Sequence, residues 1–129
     1  IGQRSVTKSE AREDIDFDTQ KPEELLRRLL IATSNAGSFV IDFFLGSATT
    51  TAVAHKLGRK WLGIEMDDYF YDLALPRMKE VLAGSGNREP CGISDEVGWH
   101  GGGFFKYFEM EMTSSPLNVK RWLTSRLKN

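Results

Sequence analysis

The stretch FVIDFFLGSATTTAVAHKLGRKWLGIE, Phe39 to Glu65, decides the fold. Phe39, Val40 and Ile41 form a β-branched and aromatic run, which predicts a strand buried on both faces of a parallel sheet. The small residues Gly46, Ser47, Ala48, Thr49 and Thr50 then predict a turn where a polar ligand can approach the backbone, followed by a helix whose first N–H groups face it. Ala52, Val53, Ala54 and Leu57 continue that helix, Gly58 is placed to end it, and Trp61 to Ile64 form a second strand. Glu65 follows Asp42 by 23 positions, close to the roughly 20-residue spacing at which an acidic side chain reaches ribose hydroxyls in dinucleotide folds. The whole reads as half of a nucleotide-binding crossover, and any adenosine-type ligand would satisfy it. The turn holds one glycine and no G-x-G-x-x-G pattern, so an ordinary βαβ unit with a tight turn fits the same residues.

Upstream, Lys21-Pro22 opens a helix: proline is tolerated at its first position, and Glu23 and Glu24 place negative charge where the helix dipole favours it. Leu25, Leu26, Leu29, Leu30 and Thr33 share one face, predicted to pack on the sheet. Asn35 to Ser38 stops the helix and turns into the strand. Residues 1–18 lack periodicity and read as a mobile lead-in. Downstream of Glu65, Asp68 is placed to cap a helix containing Tyr69, Phe70, Leu73 and Ala74. Pro76 predicts a kink, or a restart that runs through Leu82. Ala83 to Ser94 reads as a loop. Phe104 to Met112 alternates like a strand with unlike faces, and Leu117 to Leu127 like a short basic helix whose charges are solvated.

Composition narrows the function classes. At 129 residues the chain is at most one domain,. With 17 basic and 18 acidic residues no global field draws it to nucleic acid or membrane, so a DNA contact must be local or supplied by another segment,. A single cysteine, Cys91, excludes an intrachain disulfide framework and suits a reducing cytoplasm,. No apolar run reaches the roughly 20 residues of a membrane span, and the polar N-terminus is unlike a signal peptide, so a soluble cytoplasmic protein is expected. The start at Ile1 suggests excision from a longer chain. His55 reads as a packing or surface residue and His100 has no partner that sequence can name. No Cys, His or carboxylate set has metal-ligand spacing. The aromatics from Trp99 to Phe108 suit a core face better than a base-stacking platform.

Three stretches, TQKPEELLRRLL (Thr19 to Leu30), DFFLGSATTTAVAHKLGRKWLGIE (Asp42 to Glu65) and GWHGGGFFKYFEME (Gly98 to Glu111), together resemble the C-terminal part of type III modification methyltransferases. These are amino-group DNA methyltransferases of the permuted β order, with the catalytic segment first and the S-adenosylmethionine motifs last. The resemblance covers nearly all of residues 15–112. It implies an incomplete Rossmann-like α/β methyltransferase sheet with flanking helices, whose cofactor-binding part is residues 19–112, between the lead-in and a basic tail at 113–129. It further implies that Asp42, Phe44, Gly46, Ser47, Thr49 and Thr50 wrap the methionine end of S-adenosylmethionine. Glu65 would accept from both ribose hydroxyls, Met66 and Asp67 would lie beside the adenine, and Thr19, Gln20, Lys21 and Pro22 would flank the amino-acid moiety.

Two departures qualify that expectation. Ala48 stands where the family has glycine. If the position has a positive φ or touches the cofactor, a Cβ would cost about 1–2 kcal/mol or clash, so weak cofactor binding, improved by Ala48→Gly, is expected. Base flipping for amine methylation also relies, in this family, on an Asp/Asn-Pro-Pro-Tyr/Phe segment. Pro22, Pro76, Pro90 and Pro116 are all isolated, so no such segment is present and the chain alone is expected not to methylate DNA. The reading is therefore the cofactor-binding half of a restriction-modification DNA methyltransferase acting on adenine N6. The alternative is a non-catalytic remnant or subunit that binds a cofactor or partner chain. A small-molecule methyltransferase piece fits less well, because the match extends into the flanking helix and strand. The expected partners are DNA through the complete enzyme, and an upstream catalytic half or, through the edges and apolar faces it leaves uncovered, a homo-oligomer.

Overall fold

A computed structural model describes residues 20–86 and 91–110, with the backbone of 122–123. The lead-in, Thr19 and most of the basic tail lie outside the described residues. In order, the elements are α1 (Glu23–Thr33), β1 (Phe39–Asp42), α2 (Thr49–Lys56), β2 (Lys60–Gly63), a π-helical turn (Phe70–Ala74) running into α3 (Leu75–Ala83), β3 (Tyr107–Phe108) and β4 (Trp122–Leu123).

β1 and β2 pair in parallel, with Val40 opposite Trp61 and Asp42 opposite Gly63, and α2 is the crossover between them. The sequence predicted this unit within a residue or two. Gly58, at φ +70°, donates its N–H to His55 O and closes α2, as expected of a C-terminal glycine. Leu57 N–H, bonded to Val53 O, completes the last turn.

The core lies on the helix side of this sheet. Leu45, Ala48, Ala52, Ala74, Met78 and Val81 form one cluster; Leu30, Val53, Ala54 and Ile93 form a second. Trp61 packs against both. Its indole N–H donates to His55 Nδ1 at 3.1 Å, while His55 Nε2 lies 3.1 Å from Gly102 O. His55 is thereby held between the Trp61 indole and the Gly102 carbonyl, as a packing residue of α2. Trp99 and Phe105 pack against the first cluster, and Trp99 donates to Val81 O at 2.8 Å. Phe104 and Phe108 are exposed, so only part of the aromatic run serves the core.

The opposite face of the sheet differs from the expectation that both faces are buried. Exposure alternates along both strands. Phe39, Ile41 and Leu62 are exposed, while Val40 and Trp61 turn inward. No described element lies on the outer face, and a continuous apolar run cannot reveal which of its faces is covered.

Several local expectations also change. α1 packs on α2 rather than on the sheet; Leu30 is buried, but Leu29 is exposed. Asp68 provides backbone carbonyl bonds to Tyr71 and Asp72 but no side-chain cap. Pro76 sits in the first turn of α3, where its missing donor falls at the change from π to α geometry,. Of the strand expected over Phe104 to Met112, the described residues pair only at Tyr107–Phe108, and Glu111 and Met112 lie outside them. Trp122–Leu123, placed in a helix by the sequence, is the antiparallel partner of Tyr107–Phe108. Short pairing of this kind depends on which segment arrives opposite, and periodicity carries no information on that.

Candidate functional site

The C-terminal ends of two parallel strands are where open α/β sheets place their ligands, and here they carry most of the residues singled out above. Two further bonds extend the β1–β2 ladder past its last paired residues: Ile64 N–H to Asp42 O and Leu45 N–H to Ile64 O, both 2.9 Å. The chain after β1 is thereby held against the chain after β2. Asp42 Oδ1 accepts from Phe44 N–H at 3.0 Å, which folds the first residues of the turn,. Leu45 then lies over β2 at Gly63, where a Cβ would approach Leu45 Cδ1 to 2.7 Å. Only glycine admits that approach without displacing Leu45.

Glu65 closes the site. Its Oε2 accepts from Gly46 N–H at 2.7 Å, and its Oε1 accepts from Met66 and Asp67 N–H at 2.9 and 3.1 Å. A carboxylate at the end of β2 thus bridges to the turn after β1. An ionised carboxylate has about four acceptor positions. Three are engaged, so a ligand hydroxyl can be accepted directly, and a second only by exchange with one of the backbone donors. Phe44 in the turn and Met66, next to Glu65 in the chain, are 89% and 96% exposed apolar side chains.

Beneath the mouth, the turn is rigidly built. Ala48 has φ +62° and ψ +24°, the one positive φ at a non-glycine position among the described residues. The left-handed conformation feared from the sequence is therefore present. Its consequence differs from the expected clash, because Ala48 is wholly buried in the core cluster with Leu45, Ala52 and Met78. The methyl fills the core below the turn instead of the mouth above it. Ser47 and Thr49 are buried too, with their hydroxyls 3.0 Å apart, and Thr51 Oγ1 donates to Ala48 O at 3.1 Å. These hydroxyls brace the turn, while Thr50 is only half-buried.

Gln20 is buried and Lys21 exposed, immediately before α1. The link between their segment and the turn is a group of residues the sequence reading missed. Glu23, 1% exposed, accepts from Arg77 Nη2 at 2.9 Å, from Lys56 Nζ at 2.7 Å and from Ile93 N–H at 3.1 Å. Lys56 Nζ also donates to Cys91 O at 2.9 Å. Arg77 Nη1 donates to Thr49 Oγ1 at 3.1 Å and, more weakly, to Ser47 O at 3.4 Å. One carboxylate therefore joins α1, α2, α3, the 91–93 segment and the turn. Burial pushes the Glu23 carboxyl up, but the charges and hydrogen bonds of Lys56 and Arg77 outweigh it and hold it below the ordinary value,. A signal existed: Lys56 and Arg77 each occupy an apolar helical stripe, Ala52-Val53-Lys56 and Ala74-Arg77-Met78-Val81, where a charge must find a partner.

Among the described residues no cluster of His, Cys, Asp or Glu could hold a metal, and no helix is long and apolar enough to cross a membrane.

Comparison with known proteins adds to this geometry. A family model described as DNA methylase (N6 and N4) matches residues 3–76. The chain is 50% identical over 97 residues to a probable type III restriction-modification enzyme HindVI Mod subunit of Haemophilus influenzae, covering 74% of this chain and 12% of that protein. It is 50% identical over 60 residues to the DNA adenine methyltransferase YhdJ of Escherichia coli, covering 46% of this chain and 20% of that protein. It is 43% identical over 63 residues to the type II methyltransferase M.HinfI of Haemophilus influenzae, covering 49% of this chain and 18% of that one. The chain thus spans a fifth or less of the length of these relatives. Among solved structures, the M1.HpyAVI–SAM complex superposes with a TM-score of 0.50 at 29% identity, over 54% of this chain and 34% of that one.

Proposed function

Because the chain belongs to the DNA methylase family, we propose that it is the cofactor-binding part of an S-adenosylmethionine-dependent DNA methyltransferase of a restriction-modification system, acting on adenine N6. The observation that carries this reading is the Glu65 carboxylate, which stands at the end of β2 and is bonded to Gly46 of the turn after β1. Resemblance to an S-adenosylmethionine complex supports the choice among adenosine-type ligands.

The residues present fit that cofactor. Glu65 has acceptor capacity for a ribose hydroxyl, and Met66 and Asp67 border it on the adenine side. Asp42, Phe44, Gly46, Ser47, Thr49 and Thr50 form or brace the turn for the methionine end, and Gln20 and Lys21, just before α1, would flank the amino-acid moiety. Ala48 leaves the mouth clear because its methyl lies in the core. When bound, the cofactor supplies an electrophilic sulfonium methyl; this chain's part is to hold and orient it.

Transfer to a base needs the Asp-Pro-Pro-Tyr type of segment, and no two prolines are adjacent here. The catalytic segment and DNA contacts therefore belong to another stretch of polypeptide, which packs on the open apolar face of Phe39, Ile41 and Leu62. Without it, that face drives self-association. Residues 19–112 form the cofactor part, 1–18 and 113–129 flank it, and the complete enzyme acts in the cytoplasm. The test is methyl incorporation into DNA from labelled S-adenosylmethionine. The expected result is none with the chain alone, and incorporation once a polypeptide carrying the Pro-Pro segment is added. Methylation by the chain alone would overturn the division of labour.

A further inference from the structure

We propose that Arg77, anchored by Glu23, is the positioning residue of the cofactor turn, holding Ser47 and Thr49 in fixed register with the Gln20–Lys21 segment that precedes α1. This rests on the reading of the turn as an S-adenosylmethionine cradle.

The geometry is that of a fork with two loads. One terminal nitrogen of Arg77 reaches Thr49 Oγ1 and Ser47 O, and the other reaches Glu23 Oε1. Glu23 is the first residue of α1, three positions after Gln20. The two segments flanking the cofactor are far apart in sequence, and a single planar guanidinium spans between them. Arg77 is 5% exposed and Glu23 1%, so water cannot take over either end of the bridge. Lys56 serves the other side of the same carboxylate and ties it to Cys91 O, away from the turn. Gly92 protects this arrangement, since a Cβ there would approach Glu23 Oε2 to 2.2 Å. Arginine is required at position 77 because an ammonium is a point donor on one stem and cannot bond in two directions with fixed geometry. Ser47 and Thr49 bracket Ala48, the strained residue of the turn. A left-handed alanine persists only where its surroundings over-determine it, and the Arg77 fork supplies bonds on both sides of it.

The test compares Arg77→Lys, which keeps the charge and loses the fork, with Lys56→Met, which removes a charge from the same carboxylate and leaves the fork. Two readouts are taken on the full chain below the melting temperature of both variants: S-adenosylmethionine affinity by calorimetry, and amide exchange at Ala48 and Ala52, whose N–H groups bond to Leu45 O and Ala48 O. Arg77→Lys is expected to weaken affinity about tenfold and to speed exchange at these two amides about tenfold. Lys56→Met is expected to lower the melting temperature while changing either readout less than threefold. The proposal is overturned if Arg77→Lys matches the parent in amide exchange, or if Lys56→Met loosens the turn equally, which would make the network merely structural. Absence of S-adenosylmethionine binding by the parent defeats the cofactor reading instead, and the exchange data then decide the role of Arg77 without it.

Discussion

The two faces of the β1–β2 sheet are opposites. On the helix side every layer is present: α2 covers the strands, α1 and α3 cover α2, and a buried carboxylate with two cations ties the three helices together. On the other side Phe39, Ile41 and Leu62 are exposed with nothing described above them. A parallel sheet ordinarily has both faces covered. The contrast teaches that a polypeptide can build the turn and carboxylate at its strand ends in full while leaving the other face of its sheet uncovered among the described residues.

The largest expected effect breaks the closed side. Glu23→Ala leaves Lys56 and Arg77 facing each other without a counter-charge, and should cost about 3–5 kcal/mol in a urea titration. A loss below 1 kcal/mol would mean that the helix side does not depend on this node. Acid should act on the same node more gently. The folded Glu23 carboxyl lies below its ordinary value of 4.5, so its contribution is complete above that value and fades as pH falls through the depressed folded value. Glu24, held at about 2 chiefly by its hydrogen bond from Arg27, titrates in the same direction. Subtracting the melting curve of Glu23→Gln isolates Glu23. The gap between parent and variant should narrow below pH 4.5, and a gap that widens would contradict the assignment.

Smaller effects sharpen the comparison. Ala48→Gly relieves a left-handed alanine, worth about 1–2 kcal/mol, but removes a buried methyl worth about 0.8 kcal/mol. The net should be stabilisation of up to about 1 kcal/mol by thermal melting, with little change in cofactor affinity because the methyl points into the core. Phe39→Lys on the open face should change stability by no more than about 0.5 kcal/mol, as at other exposed positions, while lowering the apparent mass in light scattering. A core-sized stability loss would show that the face is covered within this chain.

Much of this was legible in the residues. Val40, the small-residue turn and Glu65 lie in one continuous stretch, so local pattern and spacing sufficed for the crossover and for the carboxylate at its end. Glu23 escaped because an acid in the first turn of a helix already has a sufficient explanation in the helix dipole. The buried cations that pair with it, Lys56 and Arg77, are 33 and 54 positions away. Ile93 escaped for a similar reason: flanked by Cys91, Gly92 and Ser94 it reads as loop, yet it is buried against Leu30 and Val53. Ala48 shows the reverse case. The sequence pointed to strain at that position, but only the fold reveals which way its methyl points.

The most direct measurement is an amide correlation spectrum of the isotope-labelled chain titrated with S-adenosylmethionine to millimolar concentration. Shifts are expected to concentrate at Gly46, Ser47, Met66 and Asp67, around the carboxylate of Glu65, with Phe39, Ile41 and Leu62 unmoved. No shifts, or shifts confined to residues away from the strand ends, would contradict the cofactor reading.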